Sequence, residues 1–190
     1  MASVYRPTEQ GFAQEIADLR RRVATLERMP SGLQSLATQH LAPIPACRVW
    51  NSAVQTIPNI TATSLTFDNE YYDTTGAHST VSNTHRLTAT VSGVYTAGYM
   101  VGIALGGGTE REGAITVNGG GLNTLRYAQF LEHPPSVTLP TRWTLNADLF
   151  LRAGDWVEFW AYQDSGGNLN TEFFANILRT EGWLHWVSNV

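Results

Sequence analysis

The chain has 190 residues, 15% of them charged, and a net charge of −4, which excludes a general electrostatic attraction to nucleic acid. Cys47 is its only cysteine, which excludes an intrachain disulfide. Its longest apolar run, Tyr95 to Leu105, is too short to cross a bilayer, which takes about 20 residues.

The opening MASVYRPTEQ has no apolar core and does not read as a secretory signal, so the expected site of synthesis and folding is a cytosol. The composition is rich in Thr, Ser, Asn, Gly and aromatics, which favours strands and turns. All twelve basic residues are Arg and none is Lys. A high-GC genome is the simplest cause.

The first predicted element is a helix over 9–29, ended by Pro30 and Gly32. Phe12, Leu19 and Leu26 fall at d and Ile16 and Val23 at a of a heptad. The seam is narrow and the rest of the surface polar, which fits a coiled coil better than a core helix. β-branched residues at a with Leu at d lean toward a dimer. Against this, Arg22-Val23-Ala24-Thr25-Leu26-Glu27 resembles the short Arg-h-x-x-h-Glu trimerisation motif (h apolar), with Arg22 able to reach a neighbouring chain's Glu27. The expectation is a trimer; the plain alternative is a solvated Arg–Glu pair of little energetic weight. The expected division is 1–30 helix, 31–45 Pro-containing linker and 46–190 head.

From Cys47 onward everything reads as strand and turn. Candidate strands are 48–51, 65–72 with Leu65, Phe67 and Tyr71 on one side, and 87–105. In the last, Val91, Tyr95, Ala97, Tyr99, Val101, Ile103 and Leu105 share one face, while Thr96, Gly98, Gly102 and Ala104 keep the other small. Further strands are expected at 114–117, ended by the hairpin signal Asn118-Gly119, then at 124–131, 143–151, 171–178 and 183–187. The run Leu151 to Tyr162 turns at Ala153-Gly154-Asp155 and should pair with 143–151 as a hairpin. Val157, Phe159 and Ala161 point one way; Trp156, Glu158, Trp160 and Tyr162 point the other. Both faces are bulky. Trp156, Trp160 and Tyr162 therefore need a second cover; the expectation is another copy of the chain, which makes them the candidate trimer interface of the head, and the alternative is a long loop of its own. Eight to ten short strands over about 145 residues make an all-β antiparallel sandwich or jelly roll.

The segment Phe67-Asp68, Tyr72-Asp73, His78-Ser79-Thr80, Arg86-Leu87-Thr88-Ala89, Gly93-Val94-Tyr95, followed by Leu151-x-x-Gly154-Asp155-x-Val157, resembles the C1q/TNF-like jelly roll as it occurs in bacteriophage virion proteins. The resemblance covers residues 46–190. It departs from animal C1q domains at Gly182-Trp183-Leu184, and a short coiled coil stands where a collagen stalk would be. The resemblance implies a homotrimer with aromatic side chains of one sheet around the threefold axis. With the N-terminal helix and the Lys-free composition, it implies a non-enzymatic virion protein of an actinobacterial phage: a minor tail protein or fibre whose N-terminal helix docks on other virion proteins. Its head would contact the host surface. Alternative roles are a capsid decoration protein or head fibre, or a cell-wall glycan hydrolase on a β scaffold. The loops carrying Asp73, His78 and His85, and Asp164, Asn168 and Asn170, are the candidate contacts to host surface glycans.

No catalytic motif is legible. The five His include no i, i+4 pair and no His-Glu-x-x-His. His78 and His85 flank one polar loop and read as solvated rather than metal-bound. The acidic loops 68–73 and 164–170 lack the spacing of a calcium loop. The expectation is no catalytic residue, no metal, no cofactor, no nucleic-acid partner and no membrane insertion.

Overall fold

A computed structural model describes residues 9–27, 43–133, 138–174 and 178–189. The chain divides into two compact units, with the second running from Pro43. The first contains α1, Glu9–Glu27. On this helix Ile16, Leu19 and Val23 are each about half exposed. The side chains of Phe12, Leu26 and Glu27, and the linker 31–42, lie outside the described residues.

The second unit is a β-sandwich, with twelve strands among the described residues: β1 (Ala46–Trp50), β2 (Thr56–Ile57), β3 (Thr63–Ser64), β4 (Asn69–Asp73), β5 (Arg86–Thr88), β6 (Gly93–Ile103), β7 (Arg111–Val117), β8 (Ala128–Glu132), β9 (Thr141–Leu151), β10 (Trp156–Gln163), β11 (Leu169–Asn170) and β12 (Glu181–Ser188). One sheet has the order β4-β1-β12-β6-β9. The other has the order β3-β10-β7-β8, with β5 also on β10; β2 and β11 form a small third pair. All pairings are antiparallel.

The core lies between the two main sheets. From β6 it takes Tyr95, Ala97, Tyr99, Val101 and Ile103, and from β10 Val157, Phe159 and Ala161, all essentially inaccessible. These two alternations meet at Phe159, which stacks on Tyr99 at 5.0 Å and meets Phe67 edge-on at 6.0 Å. Near them Trp143 Nε1 donates to the Tyr99 hydroxyl at 2.9 Å, and Tyr99 donates to the Trp160 carbonyl at 2.9 Å. A Cβ on Gly113 would lie 2.4 Å from both Trp143 Nε1 and the Tyr99 oxygen. Only a glycine lets the backbone of β7 close over this buried bond.

Several expectations need correcting. The strands 143–151 and 156–162 are not a hairpin: β9 pairs with β6 and β10 with β7, in different sheets. The Gly154 turn, with φ +94°, is the corner where the chain changes sheet. It is tied by the Arg152 amide donating to Asp155 Oδ2 and the Asp155 amide donating to the Arg152 carbonyl. Val91 and Leu105 are exposed because they lie beyond the ends of β6. Leu65 and Phe67 are buried but Tyr71 is half exposed, since the chain breaks between β3 and β4 and β4 is bulged against β1. Asn118-Gly119 starts a longer connection with a 3-10 turn at Gly121–Asn123 rather than a two-residue hairpin. Where a strand is expected at 171–178, the described residues make isolated bridges, at Thr171 and between Phe174 and Leu178.

Candidate functional site

The two sheets present different outward faces. On the β4-β1-β12-β6-β9 sheet, Arg48 and Trp50 alternate with buried Cys47 and Val49, and Trp183 and His185 alternate with buried Gly182 and Leu184. Register places Trp183 beside Gly98 and His185 beside Thr96. Arg142, Thr144, Asn146, Asp148 and Phe150 continue the face along β9, all exposed. A Cβ on Gly98 would sit 2.4 Å from Trp183 and from Asn146, so the small midline of β6 is filled by side chains of its neighbours. Tyr71 and Tyr72 at the β4 edge, Phe150 and Val187 stay 42–57% exposed. This face is broad, aromatic and open.

At one corner of it Arg179 lies over the Trp50 ring at 4.2 Å, and Arg48 over Tyr71 at 5.1 Å. Glu181 binds them together: Arg48 Nη2 donates to it at 2.6 Å and the Tyr71 hydroxyl at 2.8 Å. The Glu181 bond raises the Arg48 pKa, while burial and then the Glu181 bond raise that of Tyr71. Tyr72 stacks on His185, whose pKa is lowered by burial and then by the Arg48 charge.

The outward face of the second sheet is closed by the chain itself. Trp156, Trp160 and Tyr162 stand here, half-buried, with Glu158 almost fully buried between them. Opposite them on β7, Ala114 and Thr116 are inaccessible and Glu112 is nearly so. The cover is the connection 118–127. Gly121 rests on the Trp160 ring, where a Cβ would lie 3.5 Å away, and Leu122 is buried. Arg126 pairs with Glu112 and donates to the Leu122 carbonyl from Nε and Nη2, at 2.9 and 2.6 Å. Burial raises the Glu112 pKa against the lowering effect of Arg126.

The candidate loop residues fall at opposite ends of the sandwich. Asp73 accepts from the amides of Thr75, Gly76 and His78, and so shapes its own loop. The His78 side chain is fully buried, with Nδ1 2.9 Å from Glu70 and Nε2 3.2 Å from the Thr84 carbonyl. His85 lies 3.3 Å from Glu158. Asp164, at the other end, accepts from the amides of Thr109 and Glu110 and pairs with the Thr109 hydroxyl. Burial raises its pKa, but these bonds outweigh that and hold it low. Asn168 is exposed, and Asn170 accepts from the Thr56 hydroxyl. Among the described residues no group of three or more His, Cys, Asp or Glu is placed to hold a metal ion.

The chain enters the sandwich beside the Asp73 end, where the Trp186 amide donates to the Pro45 carbonyl and Thr74 to that of Ile44. The 104–110 and 164–170 loops are therefore the far end. Arg111, 1% exposed, donates to the carbonyls of Glu110, Gly106 and Gly107. Burial lowers its pKa, partly offset by Asp164 and Glu132. Nothing in the sequence marks this buried Arg, because an Arg on an alternating strand reads as an outward residue.

No protein-family model matches the sequence, and no curated protein does. Solved structures do match. The globular domain of zebrafish complement 1qA protein aligns at TM-score 0.55 and 14% identity, over 78% of this chain and all of that one. Eiger TNF from S. frugiperda aligns at TM-score 0.55 and 14% identity, over 78% of this chain and 95% of its own. Murine APRIL aligns at TM-score 0.53 and 8% identity, over 75% and 99%. Identities this low speak to architecture, and the architecture is that of an antiparallel C1q/TNF-like jelly roll.

Proposed function

We propose that the chain is a non-enzymatic, trimer-forming virion protein: a minor tail protein or fibre head of a phage, anchored to other virion proteins through its N-terminal helix. The observation that carries the trimer is the contrast between the two outward faces. One is closed by residues 118–127. The other leaves Tyr71, Tyr72, Phe150 and Val187 open around a glycine-lined midline, the kind of exposed aromatic patch that marks an interface. Self-association on that face puts Trp183 and Met100 near a threefold axis, and it leaves Trp156, Trp160 and Tyr162 on the outside of the trimer. The fold supports this, because C1q/TNF-like domains typically form homotrimers. The exposed stripe of Ile16, Leu19 and Val23 supports a helical stalk of the same symmetry, with Arg22 and Glu27 paired across chains.

The far end, with Asp164, Asn168 and Asn170, faces away from the point where the chain enters, and is the proposed contact with the host surface. Light scattering on the full chain tests the assembly: the expected mass is three times 20.9 kDa, and a monomer at micromolar concentration refutes it. Gold-labelled antibody on virions tests the placement; label on the capsid would assign a decoration protein instead.

A further inference from the structure

Two buried polar atoms on the outward face of β10 have no hydrogen-bond partner: Trp156 Nε1 and Glu158 Oε2. Glu158 is only 3% exposed. Its other oxygen lies 3.3 Å from His85 and 3.4 Å from Arg86. Oε2 is aimed at the covering loop, where a Cβ on Gly119 would lie 3.9 Å from it. Burying a donor and an acceptor without partners is unfavourable, and native structures seldom keep such pairs without a reason.

The loop above them opens on a run of positive-φ residues. Asn118, Gly119, Gly120 and Gly121 are four successive left-handed residues, with φ of 58°, 85°, 96° and 63°. Three glycines in that region reorient with little steric barrier. The root is fixed, since Asn118 exchanges hydrogen bonds with the Trp156 backbone at 2.9 and 3.1 Å. The far side is held by the Arg126–Glu112 pair, with Gln129 donating to the same carboxylate at 3.0 Å.

We propose that residues 118–127 form a hinged strap over a carbohydrate site. Beneath it Trp160 offers a flat ring at the place now taken by Gly121, and its indole is fixed by donation to Thr116 Oγ1 at 2.9 Å. Glu158 Oε2 accepts from a sugar hydroxyl and Trp156 Nε1 donates to one; a hydroxyl is the group that does both. The surroundings select a neutral ligand. Arg86, over the Trp156 ring at 4.5 Å, disfavours a cation, Glu158 disfavours an anion, and an apolar ligand would leave both orphan atoms unpaired. The site deepens the host-surface reading, and rests on it only for the source of the sugar.

The test uses the full chain on an array of neutral mono-, di- and trisaccharides, with amide exchange over 118–127 read in parallel. Arg126→Gln releases the clasp: exchange should quicken and sugar affinity rise about tenfold, because the open state is no longer the minor one. Glu158→Gln should weaken binding about tenfold by replacing the acceptor, and Trp160→Ala should abolish it in protein that keeps the parent's far-UV spectrum. No sugar bound by either the parent or Arg126→Gln overturns the proposal, as does binding that ignores Glu158→Gln. Actinobacterial cell wall separates the two readings. Wall binding untouched by these substitutions sinks the strap site and leaves the host-surface role; sugar binding without wall binding does the reverse.

Discussion

Replacing Gly113 with alanine should be among the most damaging single-methyl changes in the sandwich. The new Cβ would sit 2.4 Å from Trp143 Nε1 and from the Tyr99 oxygen, and 2.7 Å from a second Trp143 ring atom. An ordinary contact is more than 1 Å longer, by roughly the radial gap over which a carbon–carbon well is gained or lost. Neither neighbour is free to give way. Tyr99 is inaccessible and stacked on Phe159, and Trp143 is stacked on Phe130 at 4.8 Å. Overpacking of this kind costs about 1–3 kcal/mol. Separating Trp143 from Tyr99 also orphans the indole N–H, at about 1–3 kcal/mol. The sum is on the order of 4 kcal/mol, which for a domain of this size lowers Tm by roughly 8–16 °C. Urea and thermal melts followed by far-UV circular dichroism measure it. Tyr99→Phe is the companion: it keeps the stacking and removes both hydrogen bonds of the hydroxyl, with an expected loss of about 2 kcal/mol. A Gly113→Ala protein melting within about 2 °C of its parent would refute the reasoning, because it would mean that Trp143 swings aside freely.

Arg111→Met should keep the sandwich folded yet free the 104–110 loop, which loses its three carbonyl contacts; faster amide exchange at 105–110 with unchanged exchange in β6 is the readout. Gly98→Trp should displace Trp183 and Asn146 from the open face and turn a trimer into a monomer by light scattering. His185 gives a pH dependence of defined sign. Its folded pKa is below the ordinary value of 6.5, so the stability it contributes is present above 6.5 and is lost as pH falls toward the folded value. Tm should fall between pH 7 and pH 5, and His185→Gln should flatten that slope. On the helix, Val23→Asp should lower the Tm of the full-length assembly toward that of a chain that starts at Ala46 and lacks the helix, by comparison of their melts.

The core was legible because alternation is a strong signal when both ends of a strand are marked. Tyr95 to Ile103 and Val157 to Ala161 announce their inward sides, and the structure buries those residues. Alternation carries no information on which sheet a strand joins, so the Gly154 turn looked like a hairpin although it is a corner between sheets. The same limit hid the status of Trp156 and Trp160. An outward aromatic face looks alike whether a second copy or a distant loop covers it, and the loop, 118–127, is rich in glycines that give no hydrophobic signal of their own. The burial of His78 is hidden for a different reason. His78 sits in a polar stretch, yet it is buried because Glu70 and the Thr84 carbonyl take both ring nitrogens, a pairing no local pattern encodes. The open-face cluster of Trp50, Tyr71, Arg48, Arg179 and Glu181 joins residues more than a hundred positions apart, and was invisible for that reason.

The hydrogen bond from the Trp186 amide to the Pro45 carbonyl places the incoming chain against its last strand. Entry and final strand thus lie side by side at one end of the sandwich, like the two wires of a plug. A short bridge between residues 43 and 189 would close the ring, and new ends could then be opened in the exposed stretch 166–168 without cutting a ladder of either main sheet. The sandwich is in that sense a cassette: sequence at its far end can lengthen, shorten or be exchanged, while the end at which the chain enters keeps its geometry.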